Sequence, residues 1–290
     1  MVLTCTARRA GPLLSFLRTE LGLSSSLVKS QKTGGVFRVN GKPVFTDFPV
    51  QPGDVVTALL TEDPPDFPAE DLPLNILYED EALLAVDKGP GLWVHPSPSR
   101  YTGTLANGVA GYFARTSQPC GVHVVTRLDR DTFGVVLLAK HAHIHALLCQ
   151  SQRAGQLRKV YHATVCGVMP EHTGVIDLPI GRRDGGSLLR EVHPDGQSAV
   201  TRYRVLDERD GLSLLELEPV TGRTHQLRVH CAALGCPMLG DRDYGGSCET
   251  VSHQQLCAVS LTLPHPLTGE PLTICSRQRP FFPKFLTADG

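Results

Sequence analysis

The stretch of residues 124–140 constrains the fold more than any other part of this chain. Its second half, residues 134–139, is an apolar run without a charge, bounded by Gly134 and Lys140. A run of this kind is typical of a buried strand. Its first half places two arginines and two aspartates within five residues, namely Arg127, Asp129, Arg130 and Asp131. We therefore predict an irregular charged loop that a buried strand holds in place.

Asp129 has two interpretations on this stretch alone. A carboxylate fixed among arginines on a loop is a common arrangement for a group that takes part in catalysis or binding. Charged loops also form surface salt bridges beside a core strand, with only a structural role. The stretch by itself leaves both interpretations open.

The rest of the chain from residue 75 onward contains many apolar runs and few long helices. The sequence predicts strands at residues 82–86, 161–165, 200–206, 212–217 and 256–263, and helices at residues 105–113 and 141–153. Several strands in succession favour an α+β fold with a largely antiparallel sheet.

Residues 1–62 form a separate small unit in this interpretation. Apolar side chains recur at helical spacing over residues 13–21, and residues 24–26 offer serine caps for a second short helix. Asn40-Gly41 between apolar runs predicts a β-hairpin, because both residues tolerate a positive φ. Residues 63–74 are rich in proline and acidic residues, which predicts a semi-rigid linker before a second domain of residues 75–290.

The order of helices, hairpin and strand in residues 1–62 resembles the small RNA-binding module (alpha-L) shared by a ribosomal small-subunit protein and many RNA-modifying enzymes. That module usually carries arginines in its second helix, where this chain has only Lys29. The resemblance implies a degenerate α/β RNA-binding-like module. The alternative is a structural N-terminal cap.

A second charged stretch, residues 218–230, runs into a predicted helix. The helix should begin near Thr224, which is a suitable N-cap, and should stop at Gly235. Arg228 then lies in its first turns. His225 and His230 do not share a helical face, so they make a poor pair of metal ligands.

Composition excludes several classes of function. The formal net charge is -1, so any nucleic-acid surface must be a local patch. The 9 cysteines include no C-x-x-C pair and indicate free thiols in a reducing compartment, so we expect a cytoplasmic protein. The N-terminus lacks the apolar segment of a signal peptide, and no run of about 18 apolar residues predicts a membrane span.

Four blocks of the sequence resemble, in this order, the motifs of the RluA-type pseudouridine synthases. They read VDKGPGLWVHP, TRLDRDTFGVVLLAK, RKVYHATVCG and TGRTHQLRVHCAALGCPMLGDRDYGG. The resemblance implies a long mixed, largely antiparallel sheet with a central catalytic cleft. It also implies an isomerase that converts specific uridines in RNA to pseudouridine. The N-terminal module favours large-subunit ribosomal RNA as the substrate, with transfer RNA as the alternative.

Three residues occupy the motif positions that carry this chemistry. Asp129 matches the essential aspartate, Tyr161 the active-site tyrosine, and Arg228 the arginine that pairs with the aspartate. The side chains expected to contact the RNA are Arg127, Arg130, Lys159, Arg223 and His225.

The reaction consumes nothing, so we expect neither a cofactor nor a metal. Breaking a glycosidic bond builds positive charge on the sugar. The aspartate can stabilise that charge, form a covalent adduct or take a sugar proton, and the sequence leaves these three routes open. A uridine stacked in RNA must also be flipped out, which costs a few kcal/mol.

Two other functions remain open from the sequence alone. One is a non-catalytic RNA-binding or ribosome-assembly protein on the same fold. The other is a hydrolase that uses Asp129 and histidines, with or without a metal. We expect a monomer that binds RNA and no membrane.

Overall fold

The structure is a computed structural model that describes residues 1–31, 35–183 and 189–282. The helices are α1 (Leu13–Thr19), α2 (Ser25–Gln31), α3 (Leu105–Arg115), α4 (Ala142–Arg153) and α5 (Gln226–Ala233), with a 3-10 turn at Arg242–Tyr244. Within the described ranges, none of the helices combines the length and the hydropathy needed to traverse a bilayer.

The first nine strands are β1 (Val2–Thr6), β2 (Gly11–Pro12), β3 (Phe37–Val39), β4 (Lys42–Pro43), β5 (Pro49–Val50), β6 (Val55–Leu59), β7 (Ile76–Glu79), β8 (Leu83–Lys88) and β9 (His123–Val124). The remaining strands are β10 (Phe133–Ala139), β11 (Arg158–Cys166), β12 (Thr173–Asp177), β13 (Ile180–Arg182), β14 (Arg190–Val192), β15 (Val200–Arg209), β16 (Leu212–Pro219), β17 (Leu256–Pro264) and β18 (Pro271–Cys275). Each strand and helix predicted for residues 75–290 is present, with small shifts of its ends.

One large sheet of ten strands organises residues 75–282. Its order is β12-β15-β16-β11-β17-β10-β8-β7, with β18 paired to β17 and β9 paired to β10. Neighbouring strands are antiparallel except β10 and β17, which run parallel where Phe133 and Gly134 face Cys257 and Ala258. The prediction of an α+β fold with a long mixed, largely antiparallel sheet is confirmed.

Strand β10 is apolar throughout because both of its faces are covered. Val136 and Leu138 lie in the core under α3, whereas Val135 and Leu137 lie in the core under α4. A strand buried on both faces has no reason to alternate polar and apolar residues. The predicted buried strand at residues 134–139 is confirmed.

Gly134 brings β10 and β17 together at the middle of the sheet. Its φ is +106°, and a Cβ atom there would lie 2.3 Å from the carbonyl oxygen of Ala258. Ala258 in turn faces Tyr161 of β11. The close approach therefore places the loop before β10 and the Tyr161 strand on the same part of the sheet.

The N-terminal unit has its own sheet, in the order β1-β6-β3-β4, and its own core under α1 and α2. The predicted hairpin turn is present, with φ of 48° at Asn40 and 78° at Gly41. Ser24 caps α2 as predicted, since its hydroxyl accepts the N–H of Leu27 at 3.1 Å.

Residues 63–74 pass along α3 and contact it at several points. Asn107 donates to the carbonyl of Pro68 at 2.8 Å, and the N–H of Glu70 donates to the carbonyl of Asn107 at 3.0 Å. Phe67 is buried in the core beneath α3. The division into residues 1–62, 63–74 and 75–290 remains a prediction, and these contacts give the connecting segment a fixed path.

Candidate active site

Asp129 lies on the loop between β9 and β10, which is fixed at both ends. The N–H of Leu137 donates to the hydroxyl of Thr126 at 2.9 Å, and the amide of Gln254 donates to the hydroxyl of Thr132 at 2.6 Å. Leu128 is buried in the core under α3. Asp129 therefore projects from a held backbone, and its side chain is 33% exposed.

A buried lysine joins this loop to the loop after β8. The ammonium of Lys88 donates to the carbonyls of Gly89 at 3.0 Å, Leu92 at 2.8 Å and Arg130 at 2.8 Å. Burial lowers the pKa of Lys88 to about 8, while the negative charges of Asp131 and Asp129 act in the opposite direction. Lys88 thus fixes the backbone directly after Asp129.

Arg228 enters the site from the first turns of α5. Its Nη1 lies 3.5 Å from Oδ2 of Asp129. Its shortest contacts go to Asp241, with Nε and Nη2 each 2.7 Å from a carboxylate oxygen, and Nη2 also lies 2.8 Å from Asp243. Arg228 is therefore held by a bidentate bond to Asp241 and faces Asp129 with its remaining nitrogen.

The charges around Arg228 keep it protonated. Burial disfavours the cation, but hydrogen bonds and charges from Asp241 and Asp243, together with the charge of Asp129, outweigh burial and raise the pKa of Arg228. Its side chain is 6% exposed, and that of Asp241 is 1% exposed. The site consequently holds a fixed positive charge beside Asp129.

Tyr161 lies on β11, opposite Ala258 of β17 and Leu217 of β16. Its ring contacts the core under α3 and the core between β11 and α5. Burial raises the pKa of Tyr161, and the charges of Asp129 and Cys257 raise it further. The phenol is therefore neutral at ordinary pH and close enough to Asp129 to be affected by its charge.

His225 also faces Asp129. Its Nε2 lies 3.8 Å from Oδ2 of Asp129, and its Nδ1 lies 2.8 Å from the hydroxyl of Tyr244. The ring of Tyr244 packs against the guanidinium of Arg228, 4.8 Å from the ring centroid. We expected His225 to contact RNA, and the structure places its ring within the group of side chains around Asp129.

The other residues predicted to contact RNA are not among the side chains that contact Asp129. Arg127 and Arg130 are exposed. Arg223 is also exposed, and its Nε donates to the carbonyl of Ser198 at 3.0 Å. Lys159 is partly buried, and burial lowers its pKa. Their roles in RNA binding remain predictions.

The predicted start of α5 is wrong. The helix begins at Gln226, and its N-cap is His225, with a left-handed φ of 56°, instead of Thr224. The cause is the buried side chain of Gln226, whose oxygen accepts from the hydroxyl of Thr221 at 2.8 Å and from the N–H of Arg223 at 3.0 Å. The side chain of Gln226 thus accepts hydrogen bonds from the turn that precedes α5. Thr224 does not serve as the N-cap.

Sequence reasoning missed Lys88, Asp241 and Tyr244. A lysine that ends the apolar strand β8 was a signal for Lys88, but the acceptor Arg130 lies 42 residues away. Asp241 and Tyr244 lie in the last of the four motif blocks of the sequence. Their partners become apparent only when the 3-10 turn at Arg242–Tyr244 is folded against α5. In the part of the chain that the structure describes, no group of three or more His, Cys, Asp or Glu side chains is arranged to hold a metal ion.

Comparison with protein families agrees with this geometry. The RNA pseudouridylate synthase family model matches residues 82–233, which include Asp129, Tyr161 and Arg228. The uncharacterized RNA pseudouridine synthase YjbO of Bacillus subtilis is 40% identical over 254 residues, covering 87% of this chain and 90% of that protein. Ribosomal large subunit pseudouridine synthase D of Haemophilus influenzae is 35% identical over 223 residues, covering 72% and 68%.

Two solved structures are similar in fold. Human RNA pseudouridylate synthase domain containing 1 has a TM-score of 0.58 and 26% identity, covering 73% of this chain and 86% of that chain. Human RNA pseudouridylate synthase domain containing 4 has a TM-score of 0.56 and 29% identity, covering 71% and 88%.

Proposed function

This chain belongs to the RNA pseudouridylate synthase family, and from that premise we propose that its isomerase activity depends on the carboxylate of Asp129. The observation that carries the proposal is the position of Asp129. It is a partly exposed carboxylate on a fixed loop, 3.5 Å from a buried arginine and within the electrostatic reach of Tyr161.

The reaction breaks the bond between C1′ of the ribose and N1 of uracil, and forms a bond between C1′ and C5. The proton on C5 leaves and N1 gains a proton. Positive charge develops on the sugar as the first bond breaks. The carboxylate of Asp129 can stabilise that charge, bond to C1′ or take a proton from the sugar, and each route requires the ionised form.

Arg228 places a fixed positive charge beside the carboxylate of Asp129, with Nη1 3.5 Å from Oδ2. Opposite charges at this distance attract each other, so the guanidinium helps to hold the Asp129 side chain in the site. Because Asp241 and Asp243 hold the guanidinium, its position does not depend on the presence of substrate. We propose a positioning and electrostatic role for Arg228 and no direct part in bond making.

Tyr161 offers the uracil an aromatic surface. Its raised pKa means that a neutral hydroxyl, and not a resting phenolate, is present when the substrate arrives. The hydroxyl is suited to hydrogen bonding the base and to assisting transfer of the C5 proton. Stacking on the ring holds the base while it turns between the two bonds.

A base inside an RNA helix reaches Asp129 only after it is flipped out. Exposed Arg127 precedes Leu128 and Asp129 on the same loop, which suits it to contact the phosphates or occupy the space left by the base. Arg130, Lys159 and Arg223 suit contacts to the backbone, which position RNA without reading its sequence.

We propose large-subunit ribosomal RNA as the substrate. Two observations support it: the N-terminal unit with its separate core, and the relative from Haemophilus influenzae whose name specifies the ribosomal large subunit. The test is pseudouridine mapping of total RNA from cells with and without this protein, with ribosomal and transfer RNA analysed separately. We expect one or a few sites in large-subunit ribosomal RNA to disappear and to return on re-expression.

Loss of sites in transfer RNA alone would contradict the substrate assignment and leave the reaction intact. An unchanged pseudouridine map in both classes of RNA would contradict the proposed function itself. Re-expression of an Asp129→Asn variant separates the protein's catalytic effect from any effect of its presence on ribosome assembly.

A further inference from the structure

We propose that His225 is a positioning residue for Asp129. In this arrangement Tyr244 holds the imidazole in the neutral tautomer that presents an N–H to Oδ2 of Asp129, so that Oδ1 faces the ribose. The inference rests on the proposed role of Asp129.

A chain of hydrogen bonds sets the tautomer. The backbone N–H of Arg190 donates to the hydroxyl oxygen of Tyr244 at 3.0 Å. The hydroxyl hydrogen is then free to donate to Nδ1 of His225 at 2.8 Å. With Nδ1 accepting, the single proton of the neutral ring lies on Nε2.

The position of Asp129 favours the same tautomer. Nε2 of His225 lies 3.8 Å from Oδ2 of Asp129, so the alternative tautomer would place a nitrogen lone pair against a negative charge. A distance of 3.8 Å is longer than a hydrogen bond, and catalytic hydrogen bonds commonly shorten when the substrate binds. The N–H therefore points at an acceptor that it can reach with a small movement.

Arg228 and His225 approach the same oxygen of Asp129. Nη1 of Arg228 lies 3.5 Å from Oδ2, and Nε2 of His225 lies 3.8 Å from Oδ2. Among the described residues, no hydrogen bond to Oδ1 is present, and the shortest contacts of both Arg228 and His225 go to Oδ2. The two nitrogens thus orient the carboxylate through Oδ2 and leave Oδ1 as the oxygen that meets the sugar.

The backbone of His225 is held in an uncommon conformation to achieve this. Its φ is +56°, in the left-handed region that non-glycine residues seldom adopt. The amide of Gln226 donates to the carbonyl of Val200 and the hydroxyl of Thr201, both at 3.0 Å, and so anchors the turn. Conformations of this kind persist where the surrounding structure enforces them, frequently at functional sites.

The charged and titratable groups facing His225 come from three elements. They are Asp129 on the catalytic loop, Arg228 on α5, and Asp241, Asp243 and Tyr244 in or beside the 3-10 turn. Burial lowers the pKa of His225, the three aspartates raise it and Arg228 lowers it, and the net direction is downward. The ring is therefore neutral at ordinary pH, as the proposed tautomer requires.

The kinetic test compares His225→Leu with His225→Gln, with Asp129→Asn as the inactive reference. Steady-state rates of tritium release from uracil-labelled target RNA, measured over a range of RNA concentrations, give kcat and KM. We expect His225→Leu to lower kcat by about 10–100-fold, the usual effect of removing a group that orients a site residue, with KM within about twofold. His225→Gln retains an amide donor near the place of Nε2 and should recover most of the rate.

The pH test uses Tyr244→Phe, which removes the hydroxyl but keeps the ring beside Arg228. Without a donor to Nδ1 the neutral imidazole loses its partner, so the pH profile of His225 protonation should move up by about one pH unit. The ¹⁵N chemical shifts of the His225 ring should show a proton on Nε2 in the unaltered protein and a mixture of tautomers in Tyr244→Phe.

Several outcomes would overturn the inference. They are an unchanged kcat in His225→Leu, equal rates for the Leu and Gln variants, a loss confined to KM, or a proton found on Nδ1. If His225→Leu does not fold, the ¹⁵N shifts and the pH profile of Tyr244→Phe decide whether Tyr244 sets the tautomer of His225. Full activity of Asp129→Asn would instead contradict the proposed function, which keeps the two failures distinct.

Discussion

Arg228 is buried among three carboxylates, and its two shortest contacts go to Asp241 instead of Asp129. The distinction has an energetic consequence. Removing one member of a buried ion pair leaves the other charge without compensation, which typically costs about 3–5 kcal/mol. The carboxylate left uncompensated by loss of Arg228 is chiefly that of Asp241, because Asp129 is partly open to water.

Arg228→Met should therefore lower the free energy of unfolding by about 3–5 kcal/mol and also lower activity strongly. Adding Asp241→Asn should recover part of the stability, because the amide removes the stranded charge. Adding Asp129→Asn should recover much less. Urea unfolding of the three variants measures this, and a larger recovery with Asp129→Asn than with Asp241→Asn would contradict the assignment of partners.

Lys88 gives a pH dependence of stability with a definite sign. Its pKa is about 8 in the folded protein, against an ordinary value of 10.5. Between these values the unfolded chain binds more protons, so the free energy of unfolding contributed by this group rises with pH. Relative to Lys88→Met, the unaltered protein should gain about 2 kcal/mol between about pH 7 and about pH 9.5.

Urea unfolding of both proteins at each pH isolates the Lys88 contribution, because the other groups cancel in the difference. A difference that stays constant or falls with pH would show that the ammonium is not buried as described. The same variant should also lose activity, since Lys88 fixes the carbonyl of Arg130 beside Asp129.

The sequence singles out those residues of the proposed site that stand out locally. Asp129 lies in a dense charge cluster before an apolar run, and Tyr161 and Arg228 lie in blocks that resemble family motifs. Lys88 and Asp241 were not predictable in the same way. Lys88 donates to the carbonyl of Arg130, which is 42 residues away, and Asp241 accepts from Arg228, which is 13 residues away. No local sequence pattern predicts such pairings.

At the scale of elements, strand β10 was predicted correctly and the start of α5 was not. An apolar run of six residues is stable only when it is buried, so the sequence of residues 134–139 is enough to predict a buried strand. The N-terminus of α5 is set by tertiary contacts, because Gln226 hydrogen bonds to Val200 and Thr201 of β15. The local preference of threonine for the N-cap position is weak, and the tertiary hydrogen bonds of a buried side chain override it.

Helix α3 carries a glycine that allows residues 63–74 to lie against it. A Cβ atom on Gly111 would lie 1.9 Å from the carbonyl oxygen of Glu70. Gly111→Ala should favour the helix by about 1 kcal/mol through propensity, but it must displace the backbone of Glu70. We expect net destabilisation and faster proteolysis between residues 63 and 74.

Limited proteolysis with mass spectrometry locates the cuts. A matched control is Gly53→Ala, where φ is +91° and no atom lies within 4 Å, so only backbone strain is added. If Gly111→Ala is more stable than the unaltered protein and is cut no faster at residues 63–74, the segment is not packed against α3 as described.

At the scale of the whole molecule, the N-terminal unit makes specific contacts with the rest of the chain. Glu62 accepts from the ring of His123 at 2.9 Å and from the N–H of Ala142 at 2.7 Å, and it lies 3.1 Å from the ring of His141. Leu267, between β17 and β18, packs against the core of the N-terminal unit. These contacts hold the N-terminal unit against α4.

Deleting residues 1–60 should leave a folded and chemically active domain, because the cut keeps Glu62 and all proposed catalytic residues. Affinity for large structured RNA should fall, and the slope of log affinity against log salt should decrease by roughly 2, equivalent to two or three phosphate contacts. The charges removed are Arg8, Arg9, Arg18, Lys29, Lys32, Arg38 and Lys42, of which Lys32 lies outside the described residues.

Filter binding of both proteins to ribosomal RNA across a salt series measures the slope. Activity on a short unstructured uridine-containing RNA serves as the control and should change little. An unchanged slope would mean that the N-terminal unit is a structural cap and that the catalytic domain alone selects its RNA.

The most direct test of the account is tritium release from uracil-labelled target RNA by Asp129→Asn. The amide keeps the shape of the side chain and removes the charge that all three routes require. We expect the variant to unfold at the same temperature as the unaltered protein, within a few degrees, and to release no tritium above background. Appreciable turnover by a well-folded Asp129→Asn protein would show that the carboxylate of Asp129 does not carry the isomerisation.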